Sequence, residues 1–339
     1  MEFLAVDVMG KPVWAWLGFL AVVFILLAFD LGVLHRRPHV IGARESLILS
    51  AFYIAAGLLF SVWIYSFLGS QKAAEYLTGF LVEKSLAMDN IFVIASIFAY
   101  FSIPREFQHR VLVYGILGVI ILRGILIGLG TAIVSEFAWV LDIFAVFLII
   151  VGIKMMLTDD DNQSLENNRI LRFLRRHLYV TDNLHGDRFF VRQPMTTGGK
   201  TVLFVTPLLI ALVMIELADV LFAVDSIPAV FAITVDPYVV FTSNIFAILG
   251  LRALYFALSA VLARFAYLKY ALALVLVFIG GKVLASSFLG IEEVPPEFSL
   301  FVTVAILGGG VAYSLYRTRR EASDAPSAPV VEKPHESRP

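Results

Sequence analysis

The sequence predicts an all-α integral membrane protein of about nine transmembrane helices, partly built from two inverted three-helix repeats. Three observations predict this. The 339-residue chain is 60% hydrophobic and 16% charged, whereas soluble domains carry roughly 25% charged residues. Its apolar stretches recur at lengths near the ~20 residues that a helix needs to cross a bilayer. And the sequence resembles itself at an offset of about 129 residues.

Taken in order, the apolar runs place spans at 13–34, 46–68, 78–102, 110–134, 138–157, 203–232, 239–262, 269–289 and 298–316. The first is not read as a signal peptide, because Glu2 and Asp7 outweigh Lys11 where a basic leading region is expected. Two N-terminal spans (1–77) precede the first repeat (78–157). A basic connection (158–200) leads to the second repeat (203–289), followed by a last span (298–316) and a tail (317–339). The end of that tail is rich in Pro, Ala, Ser and Glu, a composition that reads as disordered.

Lysine and arginine in the connections set the orientation. Alternate connections carry Arg36, Arg37 and Arg44, then Arg105 and Arg110, then six arginines between Arg169 and Arg192. Arg264 and Lys269 follow, then Arg317, Arg319 and Arg320 in the tail. The intervening connections hold Glu136, Asp236, and Glu292, Glu293 and Glu297. The expectation is a multi-pass protein of the bacterial inner membrane, with the N-terminus outside and the C-terminus in the cytosol. Within 158–200, Leu165, Ile170, Leu171, Phe173, Leu174 and Leu178 alternate with arginines at helical spacing. Two readings stand: a basic helix on the inner leaflet, touching membrane lipid, or a solvated linker helix.

In the repeat, DNIFVIASI (Asp89–Ile97) aligns with DVLFAVDSI (Asp219–Ile227). ILGVIILRG (Ile116–Gly124) aligns with IFAILGLRA (Ile245–Ala253), matching Arg123 to Arg252, and Gly152-x-Lys154 matches Gly280-x-Lys282. Each copy holds three spans, an odd number, so the copies must be oppositely oriented. That arrangement is characteristic of secondary transporters, whose substrate site lies near the midplane.

The central stretch is IELADVLFAVDSIPAVFAIT, Ile215–Thr234. A carboxylate in hydrocarbon costs from about 3 to more than about 10 kcal/mol, yet Glu216, Asp219 and Asp225 all lie here. Glu83 and Asp89 occupy the third span. At about 1.5 Å per residue these acids form a ladder: Glu83 and Asp225 outer, Asp89 and Asp219 central, Glu216 inner. Pro228 is expected to break the helix near Ser226–Pro228, turning Asp225 toward the others and freeing carbonyls. Asn90, on the face of Glu83, and Ser226 add neutral oxygens.

Such an oxygen set suits Mn²⁺, Mg²⁺ or Ca²⁺. Met88 and Met214 read either as thioether ligands or as apolar filler. Arg123 and Arg252 read as charge-balancing partners, with Lys84, Lys154 and Lys282 in or near spans. Two arginines leave some of five acids uncompensated. There is no cysteine, so thiolate sites and thiol redox chemistry are excluded, and all six histidines lie outside the apolar spans. A net charge of −1 argues against nucleic acid. No P-loop or phosphorylated-Asp pump motif is present, and an intramembrane protease lacks the glycine-rich contexts its acids need, so no enzyme and no cofactor are expected.

EKSLAMDN (Glu83–Asn90) and IELADVLFAVDSIPA (Ile215–Ala229) closely resemble the TerC family of membrane proteins, which is named for tellurium resistance and includes the Alx-type members. The resemblance implies a nine-helix fold and metal-ion export, chiefly of manganese. Older descriptions of the family are of a tellurium-resistance factor or redox modulator. It also implies Glu83, Asp89, Glu216, Asp219 and Asp225 as site positions. The expected activity is export of Mn²⁺, the transported ion, in exchange for protons. The alternative is a non-transporting membrane scaffold, insertion or stress-resistance factor.

Overall fold

A computed structural model describes residues 6–29, 43–137, 139–157, 169–181, 183–194, 201–258, 267–289 and 295–324. The chain opens with a minimal hairpin, β1 (Asp7–Val8) against β2 (Lys11–Pro12). The helices that follow are α1 (Val13–Ala28), α2 (Ala43–Leu68), α3 (Ser70–Tyr100), α4 (Arg105–Glu136) and α5 (Val140–Leu157). A short helix, α6 (Arg169–His177), and a second hairpin, β3 (Phe190–Pro194) with β4 (Thr201–Val205), lead into α7 (Pro207–Phe231). The chain ends with α8 (Pro237–Ile248), α9 (Leu251–Leu258), α10 (Leu268–Leu289) and α11 (Pro296–Asp324).

Among the described residues, seven helical stretches are long and apolar enough to cross a membrane, with α8 and α9 counted as one. The protein is an all-α, multi-pass membrane protein. The 16-residue α1 is shorter. At 31 residues α3 has ample length, but Glu75, Glu83, Lys84 and Asp89 interrupt its apolar run.

Helix faces sort by environment. On α4, Ile121, Ile125, Leu129 and Ile133 recur every four residues and point outward, 48–63% exposed. Val119, Arg123 and Ile127 on the same helix are buried. Apolar side chains outward and a charge inward is the pattern of a helix solvated by lipid on one side. Almost every residue of α8 is buried, so this helix lies at the centre, against α3, α2 and α4. Around it Trp16, Phe19, Phe60, Trp63, Tyr238 and Phe246 form an aromatic core with edge and tilted contacts.

Helices α5 and α10 pack at backbone contact. A Cβ on Gly152 would lie 2.7 Å from the Ala273 carbonyl oxygen and 2.8 Å from Val277; one on Gly280 would lie 2.5 Å from the Ala145 carbonyl oxygen and 2.9 Å from Ile149. Gly280 follows Gly152 by 128 residues, and Ala273 and Val277 follow Ala145 and Ile149 by the same 128. The contact is therefore reciprocal under one shift in sequence.

Several boundaries differ from expectation. The break expected at Ser226–Pro228 is absent: α7 runs through Pro228 to Phe231. Pro228 sits in the last turn, where Ala229, Val230 and Phe231 are buried and Ala232 bonds back to the Pro228 carbonyl. Tertiary packing holds a turn that proline alone disfavours. The break falls instead in the span expected at 239–262, at Leu249–Gly250 between α8 and α9. Gly250 has φ +80°, and a Cβ there would lie 2.6 Å from Tyr53, so only glycine suits this position.

The span expected to begin at 203 begins instead at Pro207, and Thr201–Val205 form β4, pairing back on β3. Leu171 of α6 is buried against the bundle, while Phe173 is exposed; Leu165 and residues 158–168 lie outside the described residues. Helix α11 carries Arg317, Arg319 and Arg320 as far as Asp324, beyond the span expected at 298–316. Asp30, Arg264 and residues 325–339 also lie outside the described residues.

Candidate cation site

The site lies where α3, α4, α7 and α8 meet, around the guanidinium of Arg123. Arg123 and Glu83 are each 1% exposed and Asp219 5%. Nη1 of Arg123 donates to Oε1 of Glu83. Nε and Nη2 donate to the two oxygens of Asp219 at 3.3 and 3.1 Å, a fork onto one carboxylate. Nη1 also reaches Oγ of Ser226 and Oδ1 of Asn244, both at 3.1 Å. Asn90 donates from Nδ2 to Oδ1 of Asp219 at 3.2 Å.

A single cation thus ties together four helices. It also collapses part of the expected ladder. Rise along each helix put Glu83 about 9 Å outward of the central level, yet Glu83 and Asp219 share one guanidinium, because side-chain reach and helix crossing add to the axial position.

Glu216 lies one turn before Asp219 on α7. Both its oxygens are buried and neither has a hydrogen-bond partner. The carboxylate fits a notch in α4: a Cβ on Gly118 would lie 2.5 Å from Cδ of Glu216, and one on Gly115 would lie 3.7 Å from Oε1. Oε2 of Glu83 and Oδ1 of Asn90 are likewise buried without a partner. Among the described residues only Thr131 and Thr303 add to this set of partnerless buried polar side-chain atoms. All of its carboxylate and amide acceptors therefore belong to one cluster.

Among the described residues, Glu83 and Asp219 form their ion pairs with Arg123. Lys84, next to Glu83 in sequence, donates to the carbonyls of Ala247 and Leu249 at 2.9 and 3.3 Å, filling the groups freed at the α8–α9 break. Arg252 donates to Nε2 of His109 at 2.6 Å. Lys154 is exposed, and Lys282 approaches Ser299. Among the described side chains of the site, Glu83, Asp219 and Glu216 would carry three negative charges when ionised, against one from Arg123. Met214 packs in an apolar cluster with Ile210 and Ala211. The side chains of Met88, Asp89 and Asp225 lie outside the described residues. Among the described residues, no three or more His, Cys, Asp or Glu side chains are arranged to hold a metal ion.

Two participants escaped the sequence reading. Asn244 was signalled only by the polar run Thr242-Ser243-Asn244 within an apolar span. Gly118 lay in plain view in ILGVIILRG, but only its neighbour Glu216 gives it a role.

The profile of the integral membrane protein TerC family matches residues 68–322. The chain belongs to the TerC family. The cluster falls wholly inside the matched region. Among relatives of this TerC protein, an uncharacterized membrane protein of Rickettsia bellii is 45% identical over 303 residues, covering 89% of this chain and 97% of the relative. One from Myxococcus xanthus is 43% identical over 322 residues, covering 95% and 98%. The putative membrane-bound redox modulator Alx of Escherichia coli strain K12 is 44% identical over 310 residues, covering 89% and 94%. No solved structure matches the chain.

Proposed function

We propose that this TerC protein is a secondary transporter that exports a divalent cation, Mn²⁺ foremost, across the bacterial inner membrane in exchange for protons. One observation carries the reading. Buried acceptors without donors are rare and costly, and among the described residues four such oxygens, on Glu83, Asn90 and Glu216, gather around a site whose three acids, if ionised, would exceed the charge of Arg123 by two. A divalent cation or two protons would cancel that excess. Oxygen ligands without sulfur or imidazole favour a hard or borderline ion, and the family resemblance supplies manganese and the outward direction.

The reciprocal α5–α10 contact supports two copies of one three-helix unit facing each other across the membrane. In that arrangement one copy rocks against the other around a fixed midplane site. The basic connections favour a cytosolic C-terminus, and in that orientation export would start from the side of α6. The relatives named Alx are described as redox modulators. This chain offers no thiol for such a role, so any redox effect would follow from metal balance. The test is cellular manganese under Mn²⁺ stress in cells lacking the protein and complemented with variants. Wild type is expected to lower manganese and Asp219→Ala to fail. Asp219→Ala lowering manganese as well as wild type would overturn the site.

A further inference from the structure

We infer that Arg123 is a tethered counter-cation that takes the place of the transported ion on Glu83 and Asp219 and must leave them for the ion to bind. This rests on the cation-transport reading above.

The guanidinium spends all three of its nitrogens on this cluster, and two of them form a fork on Asp219. Arginine cannot shed its proton at any physiological pH. The carboxylates can therefore be freed only by moving the head group, not by neutralising it. A dication among the same oxygens would stand within a few ångström of a fixed positive charge, so the two occupancies exclude each other.

The structure also supplies a place for the guanidinium to wait. Ser226 Oγ and Asn244 Oδ1 are neutral acceptors already 3.1 Å from Nη1. They can keep the head group hydrogen-bonded after the carboxylates have turned to an ion. Glu216, partnerless in its glycine notch, is the acid that Arg123 does not hold. It is the oxygen pair open to an incoming ion while Arg123 still covers the other two acids. The empty transporter then keeps Glu83 and Asp219 compensated, and a bound ion is released by competition from Arg123 rather than by simple dissociation.

The experiment is titration of the purified full-length protein in detergent with Mn²⁺ alone, read by calorimetry or by the Mn²⁺ electron paramagnetic resonance signal. Arg123→Gln keeps a hydrogen-bonding head but removes the competing charge. It is expected to lower the Kd at least tenfold while slowing manganese export at least tenfold, because the ion is no longer displaced. Removing a buried cation can unfold a protein, so the same comparison is made in a charge-balanced background. Adding Arg123→Gln to Glu83→Gln is expected to tighten binding at least tenfold over Glu83→Gln alone. Mn²⁺ binding by wild type with no tightening in either comparison would overturn the role of Arg123 and leave the transport reading standing. Binding by none of the four proteins would overturn both.

Discussion

A buried arginine that holds two carboxylates is expensive to disturb from either side. Breaking such a pair by removing one partner usually costs about 3–5 kcal/mol, so loss of function in variants of Glu83 or Asp219 needs a stability control. Gly118 gives a cleaner handle, because it touches the site without carrying charge. A methyl group at this position would occupy the space of the Glu216 carboxylate. Gly118→Ala is expected to push that side chain aside, costing about 1–3 kcal/mol in overpacking. A displacement of about 1 Å can cost a catalytic site ~100-fold, so manganese export is expected to fall at least about tenfold. Manganese content of expressing cells checks the second effect, and thermal unfolding of the purified protein checks the first. Unchanged export in this variant would remove Glu216 from the ion path. Residue identity was legible at this scale: Glu83, Asn90, Asp219 and Ser226 stand out as polar groups in apolar runs, and each contacts Arg123 or Asp219. What could not be read was which cation each acid faces, since Lys84 and Arg123 look equally available in the sequence.

The helices show how local preference yields to packing. Pro228 would end an isolated helix, but with Ala229, Val230 and Phe231 buried on all sides the turn survives. The freed backbone groups appear instead at Leu249–Gly250, where a glycine with positive φ lets the chain reverse its helical sense and Lys84 fills the carbonyls. Helix α7, meanwhile, presents Glu216 and Asp219 from one continuous face. The α5–α10 contact makes its own prediction at this scale. Gly152 and Gly280 each meet a carbonyl oxygen of the opposite helix, so Gly152→Ala and Gly280→Ala should each destabilise by about 1–3 kcal/mol. The reciprocity implies losses of similar size, measured as shifts in unfolding midpoint in the same detergent. A large loss in one variant and none in the other would argue against equivalent copies.

Across the whole molecule the cluster joins two helices from each side of the proposed internal symmetry: α3 and α4 from the first copy, α7 and α8 from the second. A single charge bridging both copies can sense their relative position, which is what coupling of ion binding to a rocking motion requires. The proposed orientation is open to direct test because the chain has no cysteine. Ser135→Cys, in the exposed last turn of α4, is expected to react with a membrane-impermeant thiol reagent added to intact cells. Asn183→Cys, in the connection after α6, is expected to react only after permeabilisation. The reverse pattern would invert the direction assigned to transport.

Composition and span length by themselves determined that this is a multi-pass helical membrane protein, since a chain this apolar can satisfy its backbone in lipid only as helices or a closed barrel. The cost of burying charge marked which polar residues matter, and the matched Gly152 and Gly280 marked the internal repeat. Tertiary structure decided the rest. It gave Arg123 both Glu83 and Asp219, sent Arg252 to His109, left Glu216 without a partner, and moved the helix break from Pro228 to Gly250. The physical reason is common to all four. Each outcome depends on which side chains meet across helices far apart in sequence, and periodicity along one helix carries no information about its neighbour.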